Sequence, residues 1–361
     1  MKRILIGIML TVALGACSQS QKTDRYFNYP LHKVELPETG GILSPERVLD
    51  DTLFYQFWFI TDSLLVGISP AGYVQDDKFI TVTDLASGKV VGKFCEKGRG
   101  PNEYLSPIAA DMQTGQLSIY DYMTARYSEL DVPRSISEGR SVYSQIVSVP
   151  RESHKSKVLL SIHKWNGEIL AYDAGQNIDS DDLVKMPSYV MMDLKTGEQN
   201  RSFNFFKRVP LSEKKQRNRL IPVKERLGQV SCLNVDEGKL CFVMGFIPQI
   251  NIFDLKAERA FGVKVIDYEN LSLVNRVRHY QDVTSDRQRI YALYWGVQEQ
   301  EIPSGKNNTE MHIFDWNGNL LSRYTLPGVF LGCQANDTGL FLSKLVEDSM
   351  QLYFLPTEMF K

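Results

Sequence analysis

The segment Met311–Tyr324, MHIFDWNGNLLSRY, contains the complete pattern of a β-hairpin. Apolar and polar residues alternate up to Asp315, as they do in a strand with one buried face. Asn317 and Gly318 then form a pair that readily adopts the positive φ angles of a two-residue type I′ turn. A second strand-like run follows from Leu320. We therefore predict two antiparallel strands joined at this turn.

The same pattern recurs along the chain as a strand that ends in aspartate, a turn and a second strand. The further copies end their first strand at Asp84, Asp121, Asp193 and Asp254. A single unit of this kind cannot bury both of its faces, so a series of them predicts stacked sheets in a repeat architecture.

The number of repeats follows from the length of the patterned region. About 330 residues lie between Phe27 and Pro356, and six blades of four strands take about 55 residues each. We predict an all-β, six-bladed β-propeller with almost no helix, because apolar stripes at helical spacing are short. The predicted blades are 50–95, 103–135, 143–206, 228–267, 278–326 and 329–356, with 31–36 completing the sixth.

The N-terminus has the layout of a secretory signal. Met1-Lys2-Arg3 precedes a mostly apolar run over residues 4–14 and then Gly15-Ala16-Cys17. The apolar run is too short to span a bilayer, which takes roughly 20 residues. We predict a signal peptide over 1–16, a tether over 17–26 and the propeller over 27–361.

The residues Leu14-Gly15-Ala16-Cys17 resemble the lipobox of bacterial lipoproteins, which implies that Cys17 is acylated and anchors the protein to a membrane. The residue after this cysteine is Ser18 and not aspartate, which resembles the pattern of lipoproteins sent to the outer membrane. Whether the propeller faces the periplasm or the cell exterior is left open. The alternative is an ordinary signal peptide with a chance cysteine.

A more specific resemblance lies between residues 98 and 126. The shared positions are Gly98, Gly100, Pro101, Glu103, Tyr104, Pro107, Ile108, Ala109, Asp111, Gly115, Leu117, Ile119, Asp121 and Arg126. They resemble one repeat of the NHL-type β-propellers and, more broadly, the TolB-like six-bladed propeller lipoproteins of Bacteroidales. Asn102 stands where that pattern usually has glycine, and asparagine tolerates the left-handed backbone.

Loops of a propeller meet on one face around the channel, which makes that face the default binding surface. The candidate partner-binding residues there are Arg99, Asn102, Tyr294 and Trp295. A basic run supplies Lys214, Lys215, Arg217 and Arg219, whose charges suit phosphate or uronate groups of a glycan. The alternative for this run is a solvated connector. For Glu103 and Arg126 we favour structural pairing between blades.

Metal binding and catalysis find little support. The acidic segment 177–182 spaces oxygen atoms as calcium loops do but lacks the glycine and glutamate that such loops use. We predict no metal and no cofactor. No Gly-x-Ser-x-Gly or His-Glu-x-x-His motif is present, and His163 and His312 are interpreted as packing residues. In the hairpin 230–243, Cys232 is expected diagonal to Cys241, which favours buried thiols over a disulfide.

These observations predict an outer-membrane lipoprotein whose propeller is a non-catalytic binding or scaffolding module for an envelope protein or a glycan. The formal net charge of −2 gives no reason to expect a nucleic acid. The alternative is a propeller hydrolase or lyase acting on a polysaccharide or peptide, because propellers can assemble sites from distant blades.

Replacing Cys17 with alanine tests the anchor. The variant loses the only predicted lipid attachment, so we expect it in the soluble periplasmic fraction, whereas wild type stays with membranes. Immunoblotting of fractionated cells measures this distribution. Unchanged membrane fractionation of the variant would contradict lipidation at Cys17.

Overall fold

The computed structural model describes residues 27–49, 54–74, 76–151, 156–174, 188–207, 229–266, 277–304, 306–346 and 349–360. Strands make up 58% and helices 7% of the structure, which confirms the all-β prediction. Six sheets form the six blades of a β-propeller. Within these ranges, no helix has the length and hydropathy needed to cross a membrane.

The first three blades are four-stranded antiparallel sheets whose strands follow each other in order. Two short strands precede them, β1 (Leu31–Lys33) and β2 (Glu46–Arg47). Blade 1 consists of β3 (Phe57–Thr61), β4 (Leu64–Ile68), β5 (Lys78–Asp84) and β6 (Val90–Glu96). Blade 2 consists of β7 (Pro107–Gln113), β8 (Gln116–Asp121), β9 (Arg126–Asp131) and β10 (Tyr143–Ser148). Blade 3 consists of β11 (Leu159–Trp165), β12 (Glu168–Asp173), β13 (Tyr189–Asp193) and β14 (Gln199–Phe203).

The last three blades continue this order, and two of them take in a strand from the start of the chain. Blade 4 consists of β15 (Gln229–Asn234), β16 (Lys239–Met244), β17 (Gln249–Asp254) and β18 (Arg259–Lys264), with β1 added parallel to β18. Blade 5 consists of β19 (Val277–Ser285), β20 (Arg289–Gln298), β21 (Thr309–Asp315) and β22 (Leu320–Leu326). Blade 6 consists of β23 (Phe330–Ala335), β24 (Gly339–Val346) and β25 (Ser349–Pro356), completed by β2. Short 3-10 turns occupy Ala71–Tyr73, Glu299–Ser304 and Thr357–Phe360.

Ring closure uses a different segment from the one predicted. The prediction that residues 31–36 complete blade 6 is wrong, because β1 pairs with β18 and β2 pairs with β25. Phe27 and Tyr29, which precede β1 in the chain, are buried in the core between blades 3 and 4. The hydroxyl of Tyr29 donates to Asn251 Oδ1 at 2.7 Å. The chain therefore reaches blade 6 only after passing the edge of blade 4.

The boundary between blades 2 and 3 also differs from the prediction. Residues 143–148 form the outermost strand of blade 2, because the helix α1 (Val132–Glu138) separates β9 from β10. Asp131 caps this helix by accepting from the backbone N–H of Arg134 at 3.0 Å, and Gly139 ends it with a φ of 65°. These capping residues were the sequence signals for a helix that the prediction missed.

The repeated aspartates cap the turns between strands. In the hairpin of Met311–Tyr324, Asp315 Oδ1 accepts from the backbone N–H groups of Asn317 and Asn319, both at 2.9 Å. Only Gly318 has a positive φ, 83°, so the predicted two-residue type I′ turn is wrong and the loop has four residues. Asp84, Asp193 and Asp254 accept from turn N–H groups in the same way. The side-chain cap explains why aspartate recurs there.

The four cysteines in the described chain are buried free thiols. Cys232 lies directly opposite Cys241, whereas a diagonal placement was expected. The difference arises because the loop after Asn234 has four residues, so Asn234 pairs with Lys239.

The first strand of each blade lies innermost, and the backbone edge that has no neighbouring strand faces the central channel. Unpaired backbone groups at such an edge need partners. Side chains of the preceding blade supply several of them. The bonds are Cys333 N–H to Asp282 Oδ2 at 2.8 Å, Ala335 N–H to Thr284 Oγ1 at 3.1 Å, and Ile60 N–H to Gln334 Oε1 at 2.5 Å.

Candidate functional site

The central channel contains a cavity of about 490 Å³ lined by residues of all six innermost strands. This volume falls in the range of small-molecule sites, about 300–1,000 Å³. Leu160 and Val230 are among its lining residues and are 41% and 40% exposed. Polar side chains line the interior in two groups, one between blades 5, 6 and 1 and one between blades 2, 3 and 4.

The first group surrounds Gly332 and is called the Gly332 notch, formed by Asp282, Ser343 and Trp58. A Cβ atom on Gly332 would lie 2.9 Å from Ser343 Oγ and 3.3 Å from both Asp282 Oδ2 and Trp58 Nε1. The missing side chain therefore lets a hydroxyl, a carboxyl group and an indole N–H converge closely on the backbone of Gly332. Ser343 Oγ is buried and has no hydrogen-bond partner within the part of the chain that the structure describes.

Asp282 gives the notch a group that titrates near neutral pH. Its carboxylate accepts from Cys333 N–H at 2.8 Å and from Val283 N–H at 2.9 Å. Burial nevertheless raises the pKa of Asp282 to about 7, because desolvation outweighs these two bonds. At neutral pH the group can therefore donate a hydrogen bond as the acid or accept one as the carboxylate.

The second group, called the His163 cluster, consists of Asp111, His163, Ser161 and Ser231 from blades 2, 3 and 4. His163 Nε2 lies 2.9 Å from Ser231 Oγ, and His163 Nδ1 lies 3.3 Å from Asp111 Oδ2. Ser161 Oγ lies 2.7 Å from Ser231 Oγ. His163 was predicted to be a packing residue, whereas the structure places this buried ring on the channel wall with polar partners on both nitrogens.

Two predicted contact residues, Arg99 and Asn102, are exposed. They lie on the connection between β6 and β7, where an outermost strand leads to the next innermost strand. We call the corresponding side of the ring the connection face. Glu103 Oε2 accepts from Gly100 N–H at 2.6 Å, and Arg126 donates to the carbonyls of Pro101 and Glu103. These bonds support the structural role favoured for Glu103 and Arg126.

The other two predicted contact residues of the loops, Tyr294 and Trp295, are buried in β20 at 8% and 9% exposure. Trp295 Nε1 donates to the carbonyl of Phe330 at 2.9 Å, and Tyr294 stacks on His312 with ring centroids 4.7 Å apart. Their expected placement in an exposed loop is wrong, because the second strand of blade 5 continues to Gln298. A role in partner binding stays a prediction for both residues.

Several predicted residues lie outside the described residues. These are the lipidation site Cys17, the basic residues Lys214, Lys215, Arg217 and Arg219, and the acidic segment 177–182. Their roles stay predictions.

The sequence contained only a weak signal for the His163 cluster. Ser161 and His163 are polar residues at alternate positions of an innermost strand, and Ser231 occupies a similar place in the next blade. Each polar residue alone is common in a strand. These residues come together only because three blades pack against each other. The spacing of the residues along the chain does not reveal that packing.

The fold is similar to that of two solved Bacteroides proteins. A member of the DUF4221 family from Bacteroides vulgatus matches with a TM-score of 0.56 and 11% identity, over 87% of this chain and 94% of that one. A Bacteroides fragilis protein inferred to be exported matches with a TM-score of 0.52 and 10% identity, over 91% of this chain and 99% of that one. No protein-family model and no curated protein matches the sequence. At these identities the likeness establishes the fold.

Alanine substitutions at Trp295 and Arg99 distinguish a packing residue from an exposed one. We expect Trp295→Ala to lower the free energy of unfolding by about 3–5 kcal/mol, because a buried indole and its hydrogen bond are lost. Arg99→Ala should stay within about 0.5 kcal/mol of wild type. Chemical denaturation measures both values. Equal stability of the two variants would contradict the buried position of Trp295.

Proposed function

We propose that this protein is a lipid-anchored β-propeller of a Bacteroidales cell envelope, of the TolB-like or NHL-like kind, that binds a hydroxyl-rich ligand in its channel. A glycan of the envelope is the class that we favour over a protein partner. The binding role requires no catalysis.

The Gly332 notch is the observation that carries this proposal. Its polar groups come from three different blades and converge on the Cα of Gly332, so closely that even a methyl group there would be crowded. A buried hydroxyl without a partner is costly, and a sugar hydroxyl is both a donor and an acceptor that suits Ser343 and Asp282. The Trp58 ring contributes an aromatic surface to the same wall.

The envelope location rests on separate support. The N-terminal pattern that ends at Cys17 is typical of exported lipoproteins, and one structural neighbour is inferred to be exported. Cys17 anchors the protein to the outer membrane in this proposal, and protease treatment of intact cells distinguishes a periplasmic from a surface-exposed propeller.

Residues of the connection face extend the proposed binding surface. Arg99 and Asn102 are exposed there. We propose that they, with the basic residues in the connection between β14 and β15, contact anionic groups of a long glycan, since guanidinium groups fit phosphate and carboxylate.

Replacing Gly332 with alanine tests binding in the notch. The added methyl group would crowd Ser343, Asp282 and Trp58 and displace them from their positions, so we expect at least a tenfold loss of affinity. A glycan array identifies the bound sugars, and isothermal titration calorimetry measures the affinity of the strongest one.

Gly72→Ala is the matched control, because a Cβ at Gly72 meets no atom within 4 Å. The control should bind as wild type does, and thermal unfolding shows whether both variants are folded. If wild type binds no glycan, or if folded Gly332→Ala binds as tightly as wild type, the proposal is wrong.

A further inference from the structure

We infer that Ser231 is a nucleophile of the channel and that the His163 cluster hydrolyses carboxylic esters with a small apolar acyl group. This activity goes beyond ligand binding. It depends on residues of blades 2, 3 and 4, and so it is independent of the Gly332 notch.

The spacing of the cluster suits a serine activated by histidine. A nucleophile and its general base lie about 2.6–3.2 Å apart, often more loosely in an unliganded site, and Ser231 Oγ is 2.9 Å from His163 Nε2. Asp111 Oδ2 lies 3.3 Å from His163 Nδ1, within ion-pair distance. The three residues thus have the roles of nucleophile, base and orienting carboxylate, which define such a site independently of their order in the chain.

The hydrogen bonds of the cluster fit donation from Ser231 Oγ to His163 Nε2. Asp111 accepts from Gln113 Nε2 at 3.0 Å, and the same amide donates to the carbonyl of Lys164 at 3.1 Å. A carboxylate beside Nδ1 favours the tautomer that carries its hydrogen on that nitrogen, which leaves Nε2 as an acceptor. Ser231 then donates to Nε2 and accepts from Ser161. The resting arrangement is the one that deprotonation of Ser231 requires.

The surroundings of the cluster suggest the substrate. Ser161 and Ser231 are half-buried on the channel wall, so a ligand in the cavity can reach them. Leu160 and Val230, their neighbours in sequence, are exposed apolar residues that line the same cavity. An apolar acyl chain can rest on these two side chains while its carbonyl carbon approaches Ser231.

The reaction balances with water as the second substrate. Ser231 Oγ bonds to the carbonyl carbon, its proton passes to His163 Nε2, and the ester C–O bond breaks as that proton moves to the leaving alcohol. Water then attacks the acyl-serine and gives a proton to His163. Cleavage of the acyl–Oγ bond returns this proton to Ser231 and releases the carboxylic acid.

A fluorophosphonate reagent tests the nucleophile directly, because it phosphonylates activated serines. In the purified full chain we expect one adduct at Ser231, located by peptide mass spectrometry. Ser231→Ala should abolish it, and His163→Gln should slow it by about 10²–10⁴-fold through loss of the general base. Ser87, an exposed turn serine, is the internal control and should stay unlabelled.

Hydrolysis of p-nitrophenyl butyrate provides the second measurement. We expect turnover by wild type and by Gly72→Ala, whose added Cβ meets no atom within 4 Å, but not by Ser231→Ala, with thermal unfolding confirming that each variant is folded. If folded wild type is neither labelled at Ser231 nor active on the ester, the cluster is structural and the inference is wrong. Labelling that is unchanged in His163→Gln would also overturn it.

Discussion

Hydrogen bonds between the innermost strands of neighbouring blades are the interaction on which the channel depends. Each of these strands has a sheet partner on one side and the channel on the other, so its free backbone groups must be bonded in another way. Asp282 and Thr284 of blade 5 accept hydrogen bonds from backbone N–H groups of blade 6. Gln334 of blade 6 accepts one from a backbone N–H group of blade 1. These contacts join blades 5, 6 and 1 at the cavity.

The same requirement places polar side chains on the channel wall. An innermost strand of only apolar residues would leave its neighbour's backbone edge unbonded, whereas carboxylates, amides and hydroxyls can bond it. Asp282 is both a cap for Cys333 and a member of the Gly332 notch. Structural bonds thereby hold polar groups in fixed positions, and a ligand in the cavity meets a surface that needs little rearrangement.

Local features of this fold could be predicted from the sequence, and features that join distant segments could not. The hairpin at Asp315 follows from alternation and turn residues within a short window, and the blade count follows from the length of the patterned region. The pairing of β1 with β18 depends on where Phe27 and Tyr29 are buried, and a loop of four residues decided the register of Cys232. The buried position of Trp295 and the meeting of His163 with Ser231 likewise arise from contacts between blades.

Amide hydrogen exchange at the innermost strands tests directly whether side chains of neighbouring blades bond the channel edge. We expect the amides of Ile60, Cys333 and Ala335 to exchange as slowly as amides bonded within the sheets, because they donate to side chains of the preceding blade. Thr284→Val removes one hydroxyl cap at nearly constant shape, so exchange should accelerate at Ala335 and not at Cys333. Fast exchange of all three amides in wild type would show that these side chains do not hold the innermost strands together.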